Sequence, residues 1–155
     1  MSDVRTARAL ALLVPAALLA GAWGSQLIGH LFPCEMCHWQ RWPHYAALVL
    51  ALLAFAPGMP RRPLVALAAL AIAVSGVIGV LHAGVEYRWW PGFTGCTSTL
   101  SMDGDPLQAI LDAPPVRCDQ PQWTLFGISL AGFNAIFSLG GAAAIAFFLI
   151  RGRRR

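Results

Sequence analysis

The chain has 155 residues, of which 57% are hydrophobic and only 12% charged, about half the charge of an average soluble domain. That length and composition describe one compact domain built into a membrane, not a soluble fold carrying an anchor. The net charge of +4 includes no lysine, and its arginines fall in short clusters beside apolar runs; this pattern marks topology and gives nucleic acid no footing.

Apolar runs of about 18 or more residues are candidate membrane helices, and four follow one another along the chain. The first covers about 9–31 with Pro15 inside it. The second covers about 42–57, where Pro43 suits the first turn because a missing N–H costs little there. This places the start of the second span at or just after the Cys34-x-x-Cys37 pair. The third covers 63–85 and the fourth about 123–150. The stretch Met1–Trp23, with Arg5, Arg8 and Ala20-Gly21-Ala22, also has the outline of a secretory signal peptide. The apolar run continues past that point to Leu31, which favours a retained span.

Loop charges set the orientation. The N-terminal tail, the Pro57–Pro63 turn and the C-terminal tail hold Arg5, Arg8, Arg61, Arg62, Arg151, Arg153, Arg154 and Arg155 against the single acid Asp3. The opposite side holds Arg41, Arg88 and Arg117 against Glu35, Glu86, Asp103, Asp105, Asp112 and Asp119. By the positive-inside rule both termini are cytoplasmic. The expected fold is an all-α membrane protein, a single domain over 1–155: a four-transmembrane-helix bundle with outer loops at about 32–41 and 86–122.

All four cysteines fall on the outer side, as expected for an oxidising compartment. Cys96 and Cys118 most simply close the second loop, yet four cysteines permit three pairings and spacing does not choose. That loop is broken by Gly92, Gly95, Gly104, Pro91, Pro106, Pro114, Pro115 and Pro121, and Leu107–Leu111 could form a short helical turn. A loop of this length in a small domain is usually functional or disordered. Trp89, Trp90 and Trp123 fit an interfacial aromatic belt. Ser75, Gly76, Gly79 and Ala83, like Gly127 and Ala131, read as close-packing faces, and Asn134 as an interhelical hydrogen bond.

A Cys-x-x-Cys works through its thiolate, and a helix N-terminus favours that anion. If the helix already runs through this point, Arg41 shares a face with Cys37 four residues before it. It serves there either as a positive group beside the thiolate or acceptor, or as a snorkelling interfacial cation. Cys34-Glu35-Met36-Cys37-His38 also matches the C-x-x-C-H haem attachment pattern. Haem c sites favour polar surroundings, and a haem would leave the second cysteine pair unexplained. Zinc is disfavoured because no second metal-type spacing exists. Of His30, His38, His44 and His82, each is more readily an interfacial histidine than a functional one. His82, ending the third span, is the best candidate for a role, as a proton donor near an acceptor.

Taken together, these features resemble the disulfide bond formation protein B (DsbB) family of bacterial inner-membrane thiol oxidases. The resemblance rests on Cys-x-x-Cys followed by Gln40-Arg41, His82-Ala-Gly-Val-Glu86, Trp89-Trp90-Pro-Gly, Val116-Arg-Cys-Asp119 and Trp123-Thr-Leu-Phe-Gly127, spread over nearly the whole chain. It implies a multi-pass protein of the inner membrane with its cysteines on the periplasmic side. It also implies a protein dithiol:quinone oxidoreductase. Cys96 would form the mixed disulfide with a periplasmic thioredoxin-fold partner of the DsbA type. Cys118 would be its loop partner, Cys34 would exchange with Cys118, and Cys37 would meet the quinone. Arg41 matches the quinone-associated arginine, and His82, on the reading above as a proton donor, is expected with it at the cofactor. The acceptor would come from the membrane quinone pool, as ubiquinone or menaquinone. His38 is assigned no role, and the Cys96–Cys118 loop is somewhat compact for the family. Vitamin K epoxide reductases share the bundle but place their Cys-x-x-Cys after the loop cysteines, whereas here it comes first. The rival readings are a membrane-anchored haem c electron carrier and a structural membrane protein braced by a disulfide.

Overall fold

Inside a bilayer each backbone N–H and C=O must find its partner within the protein, so long apolar runs become helices. The computed structural model describes residues 2–97 and 116–152. Among the described residues it has four helices: α1 (Ser2–Leu27), α2 (Glu35–Leu53), α3 (Arg61–Glu86) and α4 (Leu130–Arg151). A short hairpin, β1 (Thr124–Leu125) and β2 (Ile128–Ser129), precedes α4. Stretches of α1, α3 and α4 (Asp3–Leu27, Arg61–Glu86 and Leu130–Arg151) are long and apolar enough to cross a membrane. The 19-residue α2 is more polar, because its first three turns carry Glu35, His38, Gln40, Arg41 and His44.

The helices neighbour one another in the ring α1–α2–α3–α4, with the α3–α4 and α2–α3 seams the most extensive. Small residues make the close approach possible. The centre holds Ala7, Ala11, Ala47, Ala51, Ala68 and Ala142, filled out by Leu64, Val65, Ile72 and Ile145. Large apolar side chains instead face outward, among them Leu13, Trp42, Val49, Leu70, Val77, Phe137 and Phe147. Small residues inside and large ones outside is the pattern of helices that pack in lipid. The expected face on α3 is present: a methyl group at Gly76 would meet the Leu139 side chain at 2.8 Å, and one at Gly79 would meet the Ala135 N at 3.0 Å.

Several boundaries differ from the sequence reading. α1 ends at Leu27 rather than 31, and His30 has a positive φ of 54°, so the chain turns before reaching α2. α1 is unbroken through Ala20-Gly21-Ala22. α2 begins at Glu35, at the Cys-x-x-Cys itself rather than at about 42, and Pro43 lies two turns into the helix rather than in its first turn. The N-terminal part of the expected fourth span is the hairpin, paired Thr124 to Ser129 and Leu125 to Ile128. Phe126 and Gly127 form its two-residue turn with φ of 52° and 78°, as a type I′ turn requires. Gly127 therefore serves the turn, and a methyl group there would meet nothing within 4 Å; it is not a packing face. Ala131 is, since a methyl group added at Gly79 would meet its carbonyl oxygen at 3.1 Å. The turn expected at Leu107–Leu111 lies outside the described residues.

Candidate functional site

The first pair of cysteines is shaped by the start of α2. Cys34 is the N-cap, with φ −79° and ψ 174°, and its sulfur accepts from the Cys37 N–H at 3.2 Å. Its carbonyl accepts from His38 N at 3.2 Å. This closed first turn brings the Cys34 and Cys37 sulfurs to 2.7 Å, and both are free thiols. The sulfur–sulfur hydrogen bond and then burial push the Cys34 thiol up from its ordinary value. Cys37 stands beside the unpaired N–H groups of the helix start, a position that favours negative charge. Cys34, Cys37 and the His82 ring place three ligand-type atoms within 4.8 Å of one another. Two thiolates on one tetrahedral zinc stand about 3.8 Å apart, so this pair is spaced for sulfur–sulfur chemistry.

The second pair is a disulfide, Cys96–Cys118, with its Cα atoms 5.3 Å apart. Cys118 N donates to Cys96 O at 2.9 Å, and the Thr94 hydroxyl lies 3.0 Å from the Cys96 sulfur. Cys34, Met36, Cys96 and Cys118 form one buried cluster, with Cys37 and Val116 packed against it. The two loops are also tied by Gln122, whose side-chain amide donates to Phe32 O at 2.8 Å. Arg117, next to Cys118, holds Asp119 by two hydrogen bonds of 2.9 and 2.6 Å.

Beneath the cysteines a hydrogen-bonded chain crosses three helices. Gln40 Nε2 donates to Met36 O at 3.2 Å and to His82 Nδ1 at 2.8 Å. Gln40 Oε1 accepts from Asn134 Nδ2 at 2.8 Å, and the same nitrogen reaches Ser75 O at 3.1 Å. Backbone carbonyls accept at both amides, which fixes which atom is nitrogen and which oxygen. His82 Nδ1 is therefore an acceptor, and its proton sits on Nε2. That nitrogen lies 3.6 Å from the Cys34 sulfur and 3.7 Å from Glu86 Oε1. At the far end Asn134 Oδ1 accepts from His44 Nε2 at 3.0 Å and from the Ser138 hydroxyl at 3.0 Å. Asn134 is thus the interhelical bond that the sequence suggested.

Arg41 is buried between α1 and α2. It donates to Gln26 Oε1 at 2.8 Å and to Ala22 O at 3.1 Å, with its guanidinium 5.4 Å from the Trp23 ring centre. A snorkelling cation would reach water; this one is 7% exposed. Arg41, Cys37, His44 and His82 line one cavity of about 400 Å³, whose remaining wall is largely apolar and includes Leu18, Phe133 and Phe137. A larger groove of about 790 Å³ on the outside of α3 and α4 is lined mainly by alanine and leucine, with Arg62 its one titratable group. It carries no chemistry.

The structure therefore brings Cys34, Cys37, Cys96, Cys118 and His82 together and sets Arg41 on the same cavity. His30 and His38 are exposed. Trp89 and Trp123 are exposed as a belt would be, but Trp90 packs over Gly84 and donates to Leu81 O at 3.1 Å. Gln40, His44 and Glu86 were not singled out from the sequence as site residues. The signal was present for Gln40 and His44: two polar residues one turn apart on a helix whose last turns are apolar.

The chain matches the family model described as "Disulfide bond formation protein DsbB" over residues 4–148. No curated protein and no solved structure matches it.

Proposed function

The chain belongs to the DsbB family of disulfide-forming membrane oxidoreductases, and from that premise we propose that it reoxidises a periplasmic thioredoxin-fold dithiol protein of the DsbA type at the expense of membrane quinone. The observation that carries the reading is the single buried cluster of both cysteine pairs, one a disulfide and the other a dithiol. In this reading α2 is the fourth span, its 19 residues giving a length of about 28 Å, close to the hydrocarbon thickness. Both termini are cytoplasmic, and the cysteines face the periplasm of the inner membrane.

The exchange runs in two stages. A thiolate of the partner attacks Cys96, releasing Cys118 as thiolate, and the partner's second thiol resolves the mixed disulfide. The partner leaves oxidised and Cys96 and Cys118 are reduced. Cys118 then attacks Cys34 of an oxidised Cys34–Cys37 pair, releasing Cys37 as thiolate. Cys96 resolves the Cys34–Cys118 bond, which restores the Cys96–Cys118 disulfide and leaves Cys34 as thiol. Each attack needs a thiolate, and the N-terminus of α2 favours negative charge on Cys37.

A quinone, when bound, takes up two electrons and two protons. The cavity fits such a group: its volume is that of a small-ligand pocket and its wall is largely apolar with convergent polar groups, among them Cys37, Arg41, His44, His82 and Glu86. Arg41 lines that cavity as a fixed positive group, and His82 holds a proton on Nε2 beside Cys34.

The test is anaerobic quinone reduction by a reduced DsbA-type protein, with the wild-type chain and with Cys37→Ala. Wild type should turn over and Cys37→Ala should not. Full turnover by Cys37→Ala would leave the chain as a structural membrane protein braced by a disulfide. A Soret band in the purified protein would instead favour the haem reading.

A further inference from the structure

Glu86, the last residue of α3, is a buried acid without a cation. Its side chain is 7% exposed, and Oε1 lies 3.7 Å from His82 Nε2. Its Oε2 is buried with no partner among the described residues. The groups that share its surroundings are few. Cys34 comes from the segment before α2, Cys37, Arg41 and His44 from α2, and Arg117 from the segment carrying Cys118. α1 and α4 present no titratable side chain to the cavity. Arg41 is committed to Gln26 and Ala22, and Arg117 to Asp119. Glu86 lines the same cavity as both cysteines of the Cys34–Cys37 pair, with His82 Nε2 between it and the Cys34 sulfur at 3.7 and 3.6 Å.

Two adjacent negative charges in one buried site cannot both persist unless a proton or cation compensates them. We propose that Glu86 takes up the second of the two protons that accompany reduction of the Cys34–Cys37 pair. The inference rests on that pair being a redox centre. Two electrons from a dithiol break the Cys34–Cys37 bond; one proton ends on the Cys34 sulfur and one on the Glu86 carboxylate, while Cys37 stays a thiolate. On reoxidation the Glu86 and Cys34 protons leave together with the two electrons. The carboxyl thus lets Cys37 remain charged, and therefore reactive, in a buried setting.

The experiment uses the full chain in quinone-free lipid nanodiscs, equilibrated with dithiothreitol redox buffers at several pH values around neutrality. The oxidised fraction of Cys34–Cys37 is read by alkylation and peptide mass spectrometry. For a two-electron couple each proton taken up shifts the midpoint by about 29.6 mV per pH unit. Wild type should show about 59 mV per unit and Glu86→Gln about 30 mV. The same slope in both proteins overturns the proposal. A second readout needs no variant: the reduced-minus-oxidised infrared spectrum of wild type should gain a protonated-carboxyl band, and its absence also overturns the proposal. Neither readout involves quinone or the partner protein. A pair that the buffer cannot reduce overturns the redox reading along with it, whereas a reducible pair with an unaltered slope overturns the role of Glu86 alone.

Discussion

Gln40→Leu removes the residue that joins α2 to both α3 and α4. It deletes two interhelical hydrogen bonds, to His82 Nδ1 and from Asn134 Nδ2, each 2.8 Å, and one within α2 to Met36 O. Interhelical bonds in membrane proteins average about 0.6 kcal/mol, so the two alone contribute about 1 kcal/mol. The larger effect is on what stays behind: His82 is 3% exposed, and its Nδ1 would be left without a partner. An unsatisfied buried acceptor costs about 1–3 kcal/mol. Asn134 keeps Ser75 O as a partner and is affected less. The expected destabilisation is about 2–4 kcal/mol, read as a shift in reversible unfolding in mixed micelles. The same substitution frees the His82 tautomer. Nitrogen NMR of labelled histidine should show His82 protonated at Nε2 in wild type and a tautomer mixture in Gln40→Leu. A change below about 0.5 kcal/mol, or a wild-type His82 protonated at Nδ1, refutes the network as described.

Two further outcomes follow from the electrostatics. In the reduced protein at neutral pH, iodoacetamide should modify Cys37 at least about tenfold faster than Cys34, because Cys34 is 3% exposed and its thiol is pushed up; peptide mass spectrometry that found equal rates would contradict this. Arg117 holds the Asp119 carboxyl below its usual range by hydrogen bonding. A depressed carboxylate stabilises the fold above its unfolded pKa of about 3.9 and loses that contribution as pH falls through the folded value. Arg117→Ala should therefore lower the unfolding midpoint slightly at neutral pH, with the difference from wild type vanishing in acid. A difference that persisted in acid would sink that account, and the pair's exposure to solvent keeps the effect small.

Four helices and their order were legible because hydropathy over a window is a strong signal and arginine clusters mark the ends. Their boundaries were not. Cys34 starts α2 by capping it with sulfur, a residue outside the usual Ser, Thr, Asp and Asn set, so the Cys-x-x-Cys read as lying before the helix. Pro43 pointed the same way, because a proline inside a helix is disfavoured. The hairpin before α4 hid inside an apolar run: Trp123–Ser129 is apolar enough to extend a span, and Phe at a left-handed turn position is an unusual choice that only its neighbour Gly127 betrays.

The site divides along the same line. Cysteine counting and charge placement located Cys34, Cys37, Cys96 and Cys118 on one side, but pairing needs distance, and nothing in the spacing forbade the alternatives. His82 was legible as a histidine at a helix end; its significance depends on Gln40 and Cys34, 42 and 48 residues away. Glu86 shows the limit most plainly. In the sequence it is one of six acids on the outer side, balancing charge. In the fold, four residues after His82 and on the same face, it is a carboxylate with a bare oxygen in the cavity that Cys34 and Cys37 line. A surface acid and a buried one have the same letter, and only the packing of α2, β2 and the Cys118 segment around the end of α3 separates them. The proton chemistry of this site therefore depends on which acids the bundle withdraws from water, a property that no local pattern encodes.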